Sequence, residues 1–310
     1  MKKFFLFFKN RIVDPIKENR VRKYQQKMEI YAKTDPEKCC RFFYKKKTGE
    51  RLNLKSPRTL SEKIQWLKLH EILPRLPLYT QCADKYRVRD FVSDRGYADI
   101  LVPLIGVYDS PDQIDFAELS DQFVLKANNS SGQNLIVKDK SKLNWQETKK
   151  ILSSWLATEY WLAGGEWQYR DIPKKIICEE YLSSNSGELV DYKFFCYDGK
   201  VEYLDVWVDH GIGSRPLYIY LDKNLQPVPF NKDTIAFQKA GRQITLPDNL
   251  NQMFQIAQDL SKGFPFVRVD LYSTEGKIYF GELTFTPCAG VDPNYTPLGL
   301  QKLGEGIKAK

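Results

Sequence analysis

Apolar residues repeat with two different periods along this chain, and the change from one to the other divides it into three stretches. In the first, residues 1–82, the segment Leu60-Ser61-Glu62-Lys63-Ile64-Gln65-Trp66-Leu67-Lys68-Leu69 places apolar side chains at helical spacing, and Pro74 and Pro77 close it. In the second, residues 83–180, helix and strand patterns alternate. Asp84 is read as the cap of a helix through Tyr86 to Val92, followed by the apolar run Ile100 to Val107 and a strand from Gln122 to Ala127. In the third, residues 181–310, period-two alternation dominates, with one helix expected near Asn249 to Lys262. Asp198-Gly199 lies between two β-rich runs, Asp191 to Tyr197 and Lys200 onward, and reads as a hairpin turn. No internal repeat or low-complexity linker separates the stretches, so they are expected to pack together in an α+β fold with a helical N-terminal extension.

Composition narrows the partners. At 310 residues, 42% hydrophobic, the chain is long enough for one large or two smaller cores. The 47 Lys and Arg against 39 Asp and Glu leave a charge of +8, which favours anionic partners such as nucleotide phosphates, anionic lipid or acidic polysaccharide, and is no signature of nucleic-acid binding. The six cysteines (Cys39, Cys40, Cys82, Cys178, Cys196, Cys288) have no Cys-x-x-Cys spacing, and His70 and His210 are the only histidines. A zinc site is therefore not expected, and scattered thiols suit a reducing cytoplasm.

The N-terminal run Phe4-Phe5-Leu6-Phe7-Phe8 is shorter than the roughly seven to fifteen residues of a secretory core or the about twenty of a membrane span. A basic helix follows, with Arg11, Lys17, Arg20, Arg22 and Lys23. It reads either as a peripheral anchor on the anionic inner face of the cytoplasmic membrane or as a solvated helix whose phenylalanines dock on the protein body.

Three segments carry candidate chemistry. In Val267-Arg268-Val269-Asp270-Leu271-Tyr272 and Gly281-Glu282-Leu283-Thr284-Phe285-Thr286-Pro287, one acidic residue interrupts each apolar strand, and Ser273 to Lys277 between them reads as a hairpin turn. The twelve-residue separation lets antiparallel strands bring both carboxylates to one end of the ladder, the hard-oxygen arrangement that holds Mg²⁺ against phosphates. On alternation alone the favoured reading is that the two acids point outward from an amphipathic hairpin, and it is the upstream segments that reverse it. Phe123-Val124-Leu125-Lys126-Ala127 leads into Asn128-Asn129-Ser130-Ser131-Gly132-Gln133-Asn134, a loop whose N–H groups can cradle phosphate with Lys126 as a point charge, although an ordinary hairpin prefers the same residues. Ile176-Ile177-Cys178-Glu179-Glu180-Tyr181-Leu182 reads as a strand leaving a sheet at a hinge, and Lys193 as an inward cation of the following strand.

In their order and spacing these segments, together with Asp84-Lys85-Tyr86-Arg87-Val88-Arg89-Asp90-Phe91-Val92, resemble the ATP-grasp superfamily of ligases, in particular its TupA-like branch from bacterial surface-polysaccharide and teichuronopeptide gene clusters. The resemblance runs from about Leu60 to Pro297. It implies two α+β subdomains clasping ATP, residues 83–180 with the phosphate loop and 181–310 with the Mg²⁺ site. Lys85 and Lys126 would bind the triphosphate, with Asn129, Ser130, Ser131 and Gly132 closing over it. Glu179, Glu180 and Leu182 would meet the adenine, and Glu188 or Asp191 the ribose. Asp270, Glu282 and Thr284 would hold Mg²⁺, with Arg268 and Lys193 at the reacting phosphoryl group.

Such ligases activate a carboxylate as an acylphosphate that an amine then attacks, with ADP released. This demands positioning and charge neutralisation rather than a nucleophilic side chain. The implied co-substrates are a uronic-acid saccharide or glycan and an amino acid or other amine. A kinase acting on a sugar hydroxyl and a non-catalytic glycan-binding protein are the alternatives. Trp155, Trp161, Trp167, Tyr169 and Trp207 read as core packing more readily than as sugar-stacking surfaces. The chain departs from the family pattern at Thr284, where many members have Asn, and in a loop with a single glycine. Neutralising Asp270 is expected to stop turnover with the fold intact.

Overall fold

The structure is a computed structural model that describes residues 15–183, 189–208 and 217–309. The Phe4–Phe8 run with its basic neighbours to Asn10 and Arg11, the ribose candidate Glu188 and the loop histidine His210 lie outside the described residues. Helices α1 (Pro15–Thr34) and α2 (Pro36–Thr48) form a hairpin that turns at Asp35, whose side chain accepts the Lys38 N–H at 2.9 Å and caps α2. Met28, Ala32, Cys39 and Phe43 bury their apolar surface against Trp161 and Trp167, and the Trp167 indole donates to Ala32 O at 3.1 Å. Among the described residues no helix is long and apolar enough to cross a membrane.

The expected helix at Leu60 is α3 (Leu60–Leu67), opened by a Thr59–Glu62 capping box and continued by a π-helical turn, Lys68–Ile72. Pro77 does not close this segment: it lies in the first turn of α4 (Leu76–Ala83), where a missing N–H costs no helical bond. The next helix, α5 (Val88–Asp94), starts two residues later than its sequence pattern suggests. The Asp84 side chain accepts the Tyr86 N–H at 2.9 Å and so spends its capping capacity on a turn before α5.

Strands β1 (Leu104–Tyr108), β2 (Phe123–Ala127), β3 (Asn134–Val137) and, after α6 (Trp145–Ala157), β4 (Ile176–Glu180) make an antiparallel sheet in the order β1-β4-β2-β3. Phe123, Leu125 and Ala127 alternate inward and pack with Leu152 of α6 and Ile176 and Cys178 of β4. This leaves Val124 and Lys126 on the opposite face, and the pairing of Lys126 with Asn134 suspends residues 128–133 beyond the end of the hairpin.

The second sheet contains β5 (Asp191–Tyr197), β6 (Lys200–Val208) and β7 (Leu217–Leu221). After α7 (Lys232–Lys239) and α8 (Leu250–Ser261) it is completed by β8 (Val267–Thr274) and β9 (Lys277–Thr284), and α9 (Pro297–Glu305) follows. Its order is β7-β6-β5-β8-β9, antiparallel throughout. One face is apolar: Phe194, Cys196, Val267, Val269 and Leu271 pack with Met253, Ile256, Ala257 and Leu260 of α8. The β8–β9 turn is Glu275-Gly276 with both residues left-handed, φ 52° and 75°, the geometry that matches strand twist in a two-residue hairpin.

That turn sets a register in which Asp270 would face Gly281, leaving Glu282 on the other side of the sheet. A β-bulge prevents this. Leu271 pairs with Phe280 but Asp270 with Glu282, so Gly281 is the extra residue and both carboxylates share one face. A Cβ on Gly281 would lie 2.9 Å from the Asp270 carbonyl oxygen. Gly281→Ala is therefore expected to lower the midpoint of chemical denaturation by roughly 1–3 kcal/mol of stability; an unchanged midpoint would show that the bulge has room to spare.

Candidate functional site

The face of the second sheet opposite α8 carries one row of paired residues across all five strands: Tyr220, Asp205, Lys193, Asp270 and Glu282. Direct antiparallel partners point the same way, so the row is a strip of charge inside the protein. Its centre is Lys193, 5% exposed, whose ammonium lies 2.5 Å from Asp191 Oδ2 and 2.7 Å from Asp270 Oδ2, 4.7 Å from the centre of the Trp207 ring. Burial works against the Lys193 charge, and the two carboxylates outweigh it, so its pKa is raised. Burial pushes the Asp191 carboxyl up.

Arg268, two residues before Asp270 on the same face, forks onto it, Nε to Oδ1 at 2.7 Å and Nη2 to Oδ2 at 2.6 Å. The same Nη2 approaches Glu282 Oε1 at 3.4 Å and Thr284 Oγ1 at 3.1 Å, and the Thr284 hydroxyl donates to Glu282 Oε1 at 2.8 Å. On the other side Lys85 Nζ lies 3.6 Å from Glu282 Oε2. Burial alone would raise the Glu282 carboxyl, but Lys85, Arg268 and Lys193, with the Thr284 hydroxyl, hold it at about 2.

This donor set suits a hard divalent cation. Glu282 is ionised and its side chain 29% exposed, giving an ion an approach from solvent. Asp270 accepts three N–H bonds against the about four lone-pair positions of a carboxylate, which leaves one free on Oδ1. Thr284 is already engaged in fixing Glu282, so it serves as an orienting group before it serves as a ligand. Among the described residues no three His, Cys, Asp or Glu side chains cluster as a metal cage, so phosphate oxygens and water would have to complete the shell. The same bonds change the expectation for Asp270. Replacing it takes one carboxylate away from two buried cations, leaving Lys193 on Asp191 and Arg268 on the more distant Glu282, so Asp270→Asn disturbs the fold as well as the site.

The 128–133 loop is anchored at its base. Asn128, fully buried, donates to Asp84 Oδ1 and Pro173 O, both at 2.9 Å, and accepts the Lys175 N–H at 2.8 Å. Lys85 N donates to Asn128 O at 3.0 Å and Lys85 Nζ to Ser130 O. Lys85 thus links the loop of one sheet to the carboxylate row of the other. Ser131 bonds the Tyr160 side chain. Ser130 Oγ is buried without a partner among the described residues and its O–H can donate, and a Cβ on Gly132 would meet nothing within 4 Å, features that fit an oxygen-rich ligand settling on the loop; Asn129 Oδ1, also unpartnered, is an acceptor and would need a donor instead.

Lys126 does not stand free: its ammonium is 2.6 Å from Glu179 Oε2, with Arg89 3.7 Å from Oε1. Glu179, read from the sequence as an adenine contact, is in this structure the counter-ion of Lys126. The β4 ladder ends at exposed Glu180, and Tyr181 to Ser183, with Leu182, continue outside it. Asp191 Oδ2 is taken by Lys193, while Oδ1 is buried without a protein partner.

Sequence reasoning missed two neighbours of this site. Behind β9, Lys68 is fully buried and donates to Gln65 Oε1 at 3.1 Å and to Gly164 O and Ala289 O at 2.8 Å, fixing the left-handed Cys288-Ala289 turn; its helical setting gave no warning. The other is a cavity of about 390 Å³ beside Arg268, whose wall includes Asp205, Tyr218, Asn231, Cys288 and Tyr295. The signal for Asp205 was in the sequence: an acid in the middle of the apolar strand Tyr203-Leu204-Asp205-Val206-Trp207.

Residues 62–308 match the model of a family described as TupA-like ATPgrasp. No curated protein matches the chain. Among solved structures, D-alanine–D-alanine ligase from Bacillus anthracis complexed with ATP is 18% identical at a TM-score of 0.44, covering 73% of this chain and 65% of that one. The ATP-grasp ligase PsnB complexed with a minimal precursor, Mg and ADP is 13% identical at a TM-score of 0.39, covering 80% and 66%. An L-amino acid ligase from Bacillus licheniformis is 14% identical at 0.41, covering 68% and 44%. The chain thus spans 65% of the length of the first of these ligases.

Burial pushes the Asp205 carboxyl up to about 7; Lys193 and Arg268 pull it down, and Asp191 and Asp270 push it up. Between the ordinary carboxylate range and pH 7 the folded protein holds a proton that the unfolded chain has released, so this residue's contribution to stability falls as pH rises through that window. Asp205→Asn is expected to remove that slope and so to gain on the order of 3 kcal/mol over the unsubstituted protein between pH 5 and pH 8. Urea unfolding of both forms at pH 5 and pH 8 measures it, and parallel pH profiles would show that Asp205 ionises freely in the folded state.

Proposed function

The chain belongs to the TupA-like ATP-grasp family, and from that premise we propose that it is an ADP-forming carboxylate–amine ligase that activates a uronic-acid sugar of a surface polysaccharide and joins it to an amino acid or other amine. The observation that carries the reading is Lys85, which touches the loop at Ser130 O and stands 3.6 Å from Glu282 on the carboxylate row. A triphosphate laid between the two sheets would meet the cations of Lys85 and Lys126 on one side and Arg268 on the other. Asp270 and Glu282 would hold Mg²⁺, which neutralises phosphate charge when bound.

The protein's own part is to position and to neutralise. Lys85 exchanges Glu282 for phosphate oxygens, and Lys126 partly exchanges Glu179. Both lysines enter already aligned, so little ordering cost is added on binding. Arg268, held by Asp270, keeps its remaining N–H groups towards the place where the acyl oxygen and the transferred phosphoryl group meet. Transfer of phosphate to a carboxylate oxygen releases ADP, and attack of the amine nitrogen on the acyl carbon then breaks the carbon–oxygen bond to phosphate. Neither step calls for a nucleophilic side chain, in keeping with a site made of lysine, arginine and carboxylates.

Glu282→Gln is the cleaner test of the ion site, since Glu282 is partly exposed and its loss leaves Asp270 on Arg268 and Lys193. It is expected to lower kcat for ADP release on the order of 10²-fold in a chain that still unfolds cooperatively, at a somewhat lower midpoint because the cations that hold Glu282 ionised lose its charge. The assay uses the full chain with Mg·ATP, glucuronate or galacturonate, and a pool of amino acids, with products read by mass spectrometry. An amide product that requires the amine supports the ligase. A phosphorylated sugar formed without amine replaces it with a kinase, and an unchanged rate in Glu282→Gln removes that residue from the site.

A further inference from the structure

Among the described residues Asp205 is the carboxylate of the charged row that has no counter-ion. It is 2% exposed, lines the cavity beside Arg268, and its Oδ1 has no hydrogen-bond partner among the described residues. A buried acceptor left unpaired is unfavourable, more so when charged, so the position calls for something that donates to it. Several polar groups around it are already engaged, although the Trp207 indole N–H on the same strand is buried without a partner among the described residues. The hydroxyls of Tyr220 and Tyr295 bond each other at 2.8 Å, Asn231 donates to Tyr218 O at 2.8 Å, and Lys193 is spent on Asp191 and Asp270.

Charge counting identifies what is missing. Around Asp205 the cations are Lys193 and Arg268, and the anions are Asp191, Asp270 and Asp205 itself. With Asp205 ionised, two positive groups face three negative ones, so a cation arriving in the cavity is what would let Asp205 release its proton. A neutral hydroxyl would satisfy the hydrogen bond and leave the charge, whereas an ammonium satisfies both. The rings of Tyr218 and Tyr295 on the same wall suit the apolar part of a small cation, and about 390 Å³ falls at the lower end of pockets that take small molecules.

We propose that this cavity is the subsite of a co-substrate bearing a primary ammonium, and that Asp205 Oδ1 is the atom that receives it. The proposal rests on the ligase reading for the meaning of the subsite, but the binding itself can be measured without ATP or turnover. Within that reading Arg268 is the wall common to the two steps: it faces the phosphoryl group from the row and the amine from the cavity. Lys232 at the rim, its ammonium 3.1 Å from Pro293 O, gives a carboxylate on the same co-substrate a place to rest.

The cavity carries its own reporter. Cys288 on its wall is exposed, while Cys39, Cys40, Cys82, Cys178 and Cys196 are buried. The experiment is the rate of Cys288 modification by a neutral disulfide reagent in the full chain, followed by peptide mass spectrometry. The added probes are ethanolamine, alanine or glucosamine, or their hydroxyl counterparts ethanediol, lactate and glucose. At least one amine is expected to slow modification threefold or more, its hydroxyl counterpart to leave the rate unchanged, and Asp205→Asn to abolish the protection. Equal protection by amine and hydroxyl, protection that survives in Asp205→Asn, or protection by none of the six overturns the proposal. The shift of unfolding temperature with Mg·ATP is recorded on the same samples. Its absence in the wild type would count against the ligase reading, whereas its presence in Asp205→Asn shows that lost protection is not lost folding.

Discussion

Charge placed where water cannot reach it must be neutralised by the protein, and in this molecule that requirement organises the whole second sheet. Lys193 is tolerable at the centre of a strand only because Asp191 stands two residues before it and Asp270 lies directly across the ladder. Asp270 in turn is shared with Arg268, and Arg268 with Glu282 and Thr284. A slip of one residue between β5 and β8 would send Lys193 against apolar neighbours and Asp270 into the α8 core. The charges therefore select the register as strongly as the apolar face does.

The two sheets meet this requirement differently. In the second, the bulge at Gly281 corrects an odd spacing so that both acids of the hairpin face inward to the cations. In the first, one fully buried amide does the corresponding work, since Asn128 ties the loop base to Asp84, Pro173 and Lys175 with ordinary neutral bonds. Carboxylates held by buried cations on one side and a loop anchored at Asn128 on the other leave Lys85 as a contact between them.

Much of this was legible in the chain. Two-residue turns at Asp198-Gly199 and Glu275-Gly276 announce their hairpins, and single acids in apolar strands mark Asp270 and Glu282. The ordered motifs were enough to identify the family, because order and spacing are properties of the chain itself. Pairings between distant residues were not legible. Nothing local says that Glu179 answers Lys126, that Lys193 sits between two aspartates, or that Lys68 is fully buried beneath the 288–289 turn. Pro77 misled because proline ends one helix and begins another with equal ease. The bulge escaped notice because a twelve-residue separation looks like a matched hairpin until the turn is known to take two residues, after which one residue is left over.

The strand order of the first sheet has a consequence for how the protein is made. β4 is the last of its four strands to be synthesised, yet it lies between β1 and β2, which have no ladder bonds to each other. As the chain emerges from the ribosome, the β2–β3 hairpin is complete while one edge of β2 waits for a partner roughly fifty residues further on and β1 for the same partner roughly seventy residues on, a delay on the order of 2–15 s at bacterial and eukaryotic elongation speeds. Through that interval the unpaired edge of β2 carries Lys126 one residue before its end, a charge that discourages another chain from adding itself there. The lysine that later faces Glu179 thus also guards the nascent sheet before Glu179 exists.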